Sequence, residues 1–385
     1  MMAKPLDGYS LVEKFKVLPL KALESYILDS THHLEKNWCD VKYLLFKMPW
    51  MGYKDEPDFD EEGKPILRRT TPLHLLARGA LPLAKFRDIS VRELFDIYRF
   101  DLNYIDEFGL THFHVACRYG YEEVARRFLD LGVDPNLPAG EIDDTPLLLA
   151  LDWRHKKVAE LLLRRGAHWN LPNKNGLTPL HVTCQTNDGG NFMEFFFNIN
   201  DHLHHQVQVN SSDKFGDTPL HFAMFYGNKK KVELLLRRGA DSNLRNAEGS
   251  TPLHIVCYRR YNHDSAKSFF KINKELNRPV LINAADNHGR TPLQLAVANI
   301  APVTVHVLLN NGADVSSFVF PDDSYFGKEV KQPENGCEAD FQLKLVEGTL
   351  FIIERLKTSG YELSRSDASK IMKLFDKPGL NDPSL

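Results

Sequence analysis

DKFGDTPLHFAMFYGNKKKVELLLRRGADSN, residues 213–243, is the stretch whose reading decides the fold. Asp213 to Gly216 is a turn signal. Thr218 carries the side-chain oxygen of a helix N-cap, and Pro219 stands at the first helical position, where a missing N–H costs nothing. Leu220, Ala223 and Met224 share one helical face, and Gly227 ends that helix. A second helix is predicted over Lys231 to Arg238, with Val232, Leu235 and Leu236 inward. Gly239 stops it, and Ala240 to Asn243 lead into an extended hairpin. Neither helix is long enough to stand alone in water, so each must bury its apolar face on a neighbouring copy.

The neighbouring copies are present. Thr-Pro-Leu-His recurs at Thr71–His74, Thr178–His181, Thr218–His221 and Thr251–His254. Altered versions stand at Thr111-His112-Phe113-His114, Thr145-Pro146-Leu147-Leu148 and Thr291-Pro292-Leu293-Gln294. Successive threonines are 40, 34, 33, 40, 33 and 40 residues apart. A period near 33 overrides any guess based on the whole length of 385 residues, because a stack grows by adding neighbours rather than enlarging one core.

The phased units resemble the ankyrin repeat, whose family pattern is D-x-x-G-x-T-P-L-H-x-A-A-x-x-G-x-x-x-x-V-x-x-L-L-x-x-G-A-D-x-N. The match runs from about Arg69 to Val315. Asp106, Gly109, Asp213, Gly216, Asp286 and Gly289 fill turn positions; Asn136, Asn170 and Asn243 close their units. The resemblance implies an all-α solenoid of about seven helix–turn–helix units joined by β-hairpin loops, with helical capping segments. The expected organisation is an N-terminal helical cap and acidic loop over 1–65, the repeat array over 66–316, and an irregular segment plus helical hairpin over 317–385. Within the last part, a long helix over about Glu338 to Lys357 places Phe341, Leu345, Ile352 and Leu356 on one face. Gly360 is its C-cap, and Ser364 with Asp367 opens a final helix as a capping box.

Composition narrows the function. With 43% hydrophobic and 26% charged residues the chain is ordinary for a folded protein. A formal net charge of -3 supplies no global basic field for nucleic acid or an anionic membrane. No uncharged apolar run approaches a membrane span, so no membrane insertion is expected. The five cysteines, Cys39, Cys117, Cys184, Cys257 and Cys337, form no C-x-x-C, which removes zinc-ribbon and redox-pair readings and suits a reducing cytoplasmic setting, or a nuclear one. Phosphate-loop, metalloprotease, nucleophile-elbow and kinase signatures are all absent, so we expect no enzyme, no catalytic residues, no cofactor and no metal.

Two constellations suggest chemistry and are read as structure. His114/Cys117, His181/Cys184 and His254/Cys257 stand three apart on first helices, which brings each pair to one face. In the resembled family that histidine ties neighbouring units and the cysteine position is a small core site. His202, His204 and His205 are near-consecutive but lack a completing acidic or thiol ligand. Arg164-Arg165 and Arg237-Arg238 fall in last turns of second helices, where cations complement the helix dipole. Lys229 to Lys231 read the same way, as surface cations.

The positions seven and eight residues past each threonine remain. In the resembled family they line the concave side. Here they include Arg118, Tyr119, Trp153, Phe225, Tyr226, Tyr258 and Arg259, aromatic and arginine types that dominate interface hot spots. Phe108 and Phe215 join them from the hairpin tips. The expectation is a non-enzymatic module that binds a protein partner through the concave groove and hairpin tips. Two alternatives stay open: a substrate adaptor whose C-terminal helices recruit a second protein such as a ubiquitin-ligase subunit, and an inhibitor-type ankyrin protein that masks a transcription factor. Burial or exposure of the Phe341, Leu345, Ile352 and Leu356 face discriminates the adaptor.

Overall fold

The computed structural model describes residues 52–78, 91–141, 143–258, 263–321 and 338–375. The expected N-terminal helices, Cys39, Arg259, Phe326 and Cys337 lie outside these residues, as does the Phe341 side chain.

Helices come in pairs, each pair being one repeat. They are α1 (Pro72–Ala77) with α2 (Val91–Phe95), α3 (His112–Tyr119) with α4 (Glu122–Asp130), and α5 (Pro146–Asp152) with α6 (Lys156–Arg164). Then follow α7 (Pro179–Gln185) with α8 (Asn191–His202), α9 (Pro219–Phe225) with α10 (Lys229–Arg237), α11 (Pro252–Cys257) with α12 (His263–Glu275), and α13 (Pro292–Ala298) with α14 (Pro302–Asn310). Helices α15 (Glu338–Thr358) and α16 (Arg365–Phe375) follow. The described residues form two compact units: 52–175 with 199–205, and 176–198 with 206–375. Within each unit first helices pack on first helices (α3 on α5, α9 on α11) and second helices on second helices (α4 on α6, α10 on α12).

The first helices are buried almost all round, because each is flanked by its own second helix and by its neighbours. In α3, everything from His112 to Cys117 is buried. The second helices are amphipathic: α10 buries Val232, Leu235 and Leu236 and exposes Arg237. Among the described residues there is no extended sheet; the hairpin loops are held by isolated bridges and by side chains that mimic turns. The Asp213 carboxylate accepts from the Phe215 and Asp217 amides at 2.8 and 2.9 Å, and Asp106 and Asp286 repeat this. Gly216 then takes φ 79, and a Cβ there would sit 2.8 Å from the Ala247 nitrogen, so successive loop tips pack too closely for a side chain.

After the repeats, Phe318 and Phe320 are buried, and Phe318 meets Tyr361 edge-on at 5.1 Å. Helix α15 packs on α14 with Leu345, Ile352 and Leu356 buried. Gly360 adopts φ 95 at its C-terminus, and the Ser364–Asp367 capping box forms with reciprocal bonds of 3.0 and 3.1 Å.

Two local readings change. The acidic stretch 52–64 reads as a solvated loop, yet the Asp55 carboxylate is fully buried between Arg69 Nη1 at 3.0 Å and the Tyr104 hydroxyl at 2.5 Å. Lys231 is not a surface cation; it is fully buried. The residues before α8 hold the start of that helix. There Asp188 accepts from the Gly190 and Phe192 amides and so forms the N-terminal cap of α8. Asp55→Ala removes a charge-assisted pair and takes this carboxylate acceptor from Arg69 Nη1 and the Tyr104 hydroxyl, so it should destabilise the first unit by about 2 kcal/mol. Hydrogen exchange reads this directly: the Arg69 and Ile105 amides, which bond across this junction, should exchange faster, and unchanged rates would show that Asp55 is dispensable.

Candidate partner-binding surfaces

The repeated histidines are fixed by partners that leave no choice of tautomer. In each Thr-Pro-Leu-His copy the threonine backbone N–H, which can only donate, points at the histidine Nδ1: 3.0 Å at His74, 3.1 Å at His181 and His221, 3.0 Å at His254. Nε2 must then carry the proton. It donates to a carbonyl, which can only accept, in the next loop: Tyr104, Asp217, Ser250 and Arg290 respectively, at 3.1–3.2 Å. His114 does the same with Leu137 at 2.7 Å. Each ring caps its own helix and ties it to the following segment while neutral. Burial pushes His74 down to about 3 and His114, His181 and His221 down to about 4. Cys117, Cys184 and Cys257 are buried thiols whose pKa burial raises, so they are inert core groups.

His112 occupies the position that proline holds in other copies. Its Nε2 is 2.8 Å from the Thr71 hydroxyl, and its ring stands against Tyr98 and Tyr104 at 4.7 and 5.6 Å. The altered copy is therefore a packed variant of the motif. His205 stacks flat on Trp169 at 3.6 Å, and among the described residues no group of three or more His, Cys, Asp and Glu could hold a metal ion.

The first unit carries a pocket of about 460 Å³ at the loop tips and first helices. Leu110, Ala139 and Leu149 form an apolar floor, and Phe108, 43% exposed, forms a wall. Arg78, Arg118, Glu141 and Asp144 supply the charge at its rim. These groups differ in how far they are satisfied. Arg78 pairs with Glu107 at 3.0 Å and Asp106 at 3.5 Å and lies over the Phe108 ring. Asp144 accepts from Asn173 at 2.8 Å, and burial raises its pKa. The Arg118 guanidinium lies over the Trp153 ring at 4.7 Å; among the described residues it makes no hydrogen bond and no ion pair, although its charge is felt by the Asp144 and Asp152 carboxylates. Trp153 is 43% exposed, although an aromatic of this size is ordinarily largely covered. Tyr119 is part of the same helix but is tied down: its hydroxyl donates to the Leu76 carbonyl at 2.9 Å and its ring stacks on Tyr121. Glu141 and the tip around Gly140 are the members of this pocket that counting from the threonine misses, because they sit in a loop that departs from the repeat pattern.

In the second unit Phe215, Phe225 and Tyr226 are exposed, Phe215 most of all at 59%. Phe225 and Tyr226 meet edge-to-face at 5.2 Å, and Lys214 Nζ lies 5.0 Å from the Phe215 ring centre. Tyr258 is half-buried and accepts a bond from Arg290 at 3.0 Å. Each unit thus presents its own aromatic surface at the positions counted from the threonine and at the loop tips.

A family model described as "Ankyrin repeats (3 copies)" matches residues 80–173, 165–246 and 232–318, together more than half of the chain. The chain belongs to the ankyrin-repeat family. Ankyrin-repeat arrays act as scaffolds for protein–protein interaction, and curated relatives show the module reused in proteins of unlike names. The chain is 31% identical to ZDHHC13 of Danio rerio over 40% of its own length and 23% of that protein's. It is 28% identical to Inversin of Homo sapiens over 53% of its length and 18% of that protein's. To the human transient receptor potential cation channel subfamily A member 1 it is 26% identical over 54% of its length and 18% of the relative's. The ankyrin-repeat chain therefore covers less than a quarter of the length of these relatives. Among the described residues no helix is long and apolar enough to cross a membrane.

Proposed function

We propose that this ankyrin-repeat chain is a non-enzymatic interaction module that holds a protein partner on the surfaces formed by first-helix ends and loop tips. The observation that carries the reading is the exposure of Phe108, Trp153, Phe215, Phe225 and Tyr226 at those positions. Large aromatics left in water at repeat-phased positions offer desolvation energy to a partner. Binding to an already ordered stack of helices costs little conformational entropy. Arg118, Tyr119, Tyr258 and Arg259 belong to the same set by position.

A triple variant tests this. In proximity labelling, Trp153→Ala/Tyr226→Ala/Tyr258→Ala should lose most of the proteins labelled by the wild type. Recovery of the same set at the same level from both would remove the surface from consideration.

The adaptor reading keeps one specific support. The helix face named as its discriminator is buried on α14 at Leu345, Ile352 and Leu356, which suits a cap. A different face of α15 leaves Leu343 and Leu350 about 60% exposed, one heptad apart. Recruitment of a second protein through α15 would be abolished by Leu343→Glu/Leu350→Glu with the repeats left folded.

A further inference from the structure

The first unit's pocket has an apolar floor and four charged groups at its rim, and the state of those groups decides what fits. Arg78 is ion-paired with Asp106 and Glu107, although its Nε, 3.5 Å from Asp106 Oδ2, makes no hydrogen bond. Asp144 has Asn173. Arg118 has no hydrogen-bond acceptor among the described residues: its guanidinium carbon lies 4.7 Å from the Trp153 ring centre, and its N–H donors are left to be satisfied from outside. A planar fork of donors beside a floor of Leu110, Ala139 and Leu149 matches a ligand with a carboxylate at one end and an apolar body at the other.

We propose that this pocket seats a segment of a partner protein in which an Asp or Glu side chain lies next to a large apolar side chain, the carboxylate on Arg118 and the apolar group over Leu110 and Leu149. The assignment rests on the interaction-module reading and adds to it the chemistry of the partner. A phosphorylated segment fits less well. A dianion would meet one free guanidinium while Glu141 and Asp144 stand at the same rim, and dianion sites ordinarily gather several cations. A basic segment could meet Glu141 at the rim, but Asp144 is already held by Asn173 and Arg118 would be left unsatisfied.

The test uses the full chain on an array of terminally blocked peptides. Each carries Leu or Phe beside one variable position that is Glu, Gln, Lys or phosphoserine. Wild type should retain the Leu-Glu and Phe-Glu peptides about tenfold more strongly than their Gln counterparts, the size of one charge-assisted hydrogen bond. Arg118→Gln should bind the Glu and Gln peptides equally and still prefer Leu over a Gly control. Arg118→Lys should keep part of the Glu preference, and an unchanged thermal melt for both variants shows that the fold is intact. The proposal is overturned if wild type binds none of the peptides, if Lys or phosphoserine peptides win, or if Arg118→Gln retains the Glu preference. Each of those results leaves the broader module reading to the proximity-labelling comparison, which does not depend on which side chain enters this pocket.

Discussion

Lys231→Met should destabilise the second unit by about 3–5 kcal/mol, the cost of removing one partner from a buried charged network. The side chain is fully buried, and its ammonium closes the C-terminal end of α7. Nζ donates to the Thr183 carbonyl at 2.8 Å, the Cys184 carbonyl at 3.1 Å and the Thr186 carbonyl, with the Thr186 hydroxyl at 3.1 Å and Asp188 at 3.5 Å. Those carbonyls are groups that a helix end leaves without intrahelical donors. A lysine from the second helix of the following repeat satisfies them and at the same time neutralises the aspartate that starts α8. Burial lowers the Lys231 pKa and Asp188 pulls it back. Methionine fills the space but donates nothing, so the Cys184 and Thr186 carbonyls lose the ammonium donor, the Thr183 carbonyl keeps only the Thr186 hydroxyl, and Asp188 keeps its backbone amides but loses its counter-charge. Denaturant melts of the full chain should show an earlier transition, and exchange at the Gly190 and Phe192 amides should rise most. A shift below about 0.5 kcal/mol, the range of ordinary surface substitutions, would mean that water replaces the ammonium.

The second large effect is on acid stability. In the unfolded chain each repeat histidine takes a proton near pH 6.5; in the folded chain burial, against the pull of the carbonyl on Nε2, keeps it off until about pH 4 for His114, His181 and His221 and about pH 3 for His74. His254 is lowered in the same direction. Between these values the unfolded state binds more protons, so acid favours it. Stability is fully present above pH 6.5 and falls as pH drops toward 4, by roughly 2 kcal/mol per histidine by pH 5. The chain contains its own control at the last repeat. Gln294 accepts from the Thr291 amide at 2.9 Å through Oε1 and donates to the Val319 carbonyl at 3.3 Å through Nε2, reproducing both histidine bonds with a group that does not titrate. His221→Gln should therefore be nearly neutral at pH 7.5 and should reduce the proton uptake on unfolding near pH 5 by about one. Equal pH slopes for wild type and His221→Gln would show that these rings do not govern acid unfolding.

Both effects bear on how far the sequence could be read. The histidine's place in the first turn of each helix was legible, because it stands three residues past the threonine and the pattern recurs in phase, while its tie to the next unit came from the family resemblance. The same holds for the helix starts at proline, the Gly360 stop and the Ser364–Asp367 box. All are chemistry between residues a few positions apart. Lys231 was misread because its sequence neighbours, Lys229 and Lys230, are ordinary surface cations. Its five oxygen partners lie 43 to 48 residues back and come together only when α10 packs beside the loop between α7 and α8. Asp55 was misread for the same reason, its hydroxyl partner being 49 residues on.

The candidate surfaces divide along that line. Counting from the threonine located Arg118, Trp153, Phe225 and Tyr226, since a fixed phase in a repeat is a fixed place on its face. It could not show that Tyr119 is tied to Leu76 while its neighbour Arg118 is left without an acceptor, or that the tip at Glu141 completes a pocket with Phe108. Those depend on which side chains of different repeats reach one another. By itself, then, the sequence determined the repeat, its phase, its caps and its residue types at the exposed positions, because these follow from periodicity and from bonds within one turn. Only the tertiary structure decided which charges are neutralised, which face of α15 is covered and which guanidinium is left for a partner, because each of those is settled by groups that the chain brings together from about a repeat length apart or more.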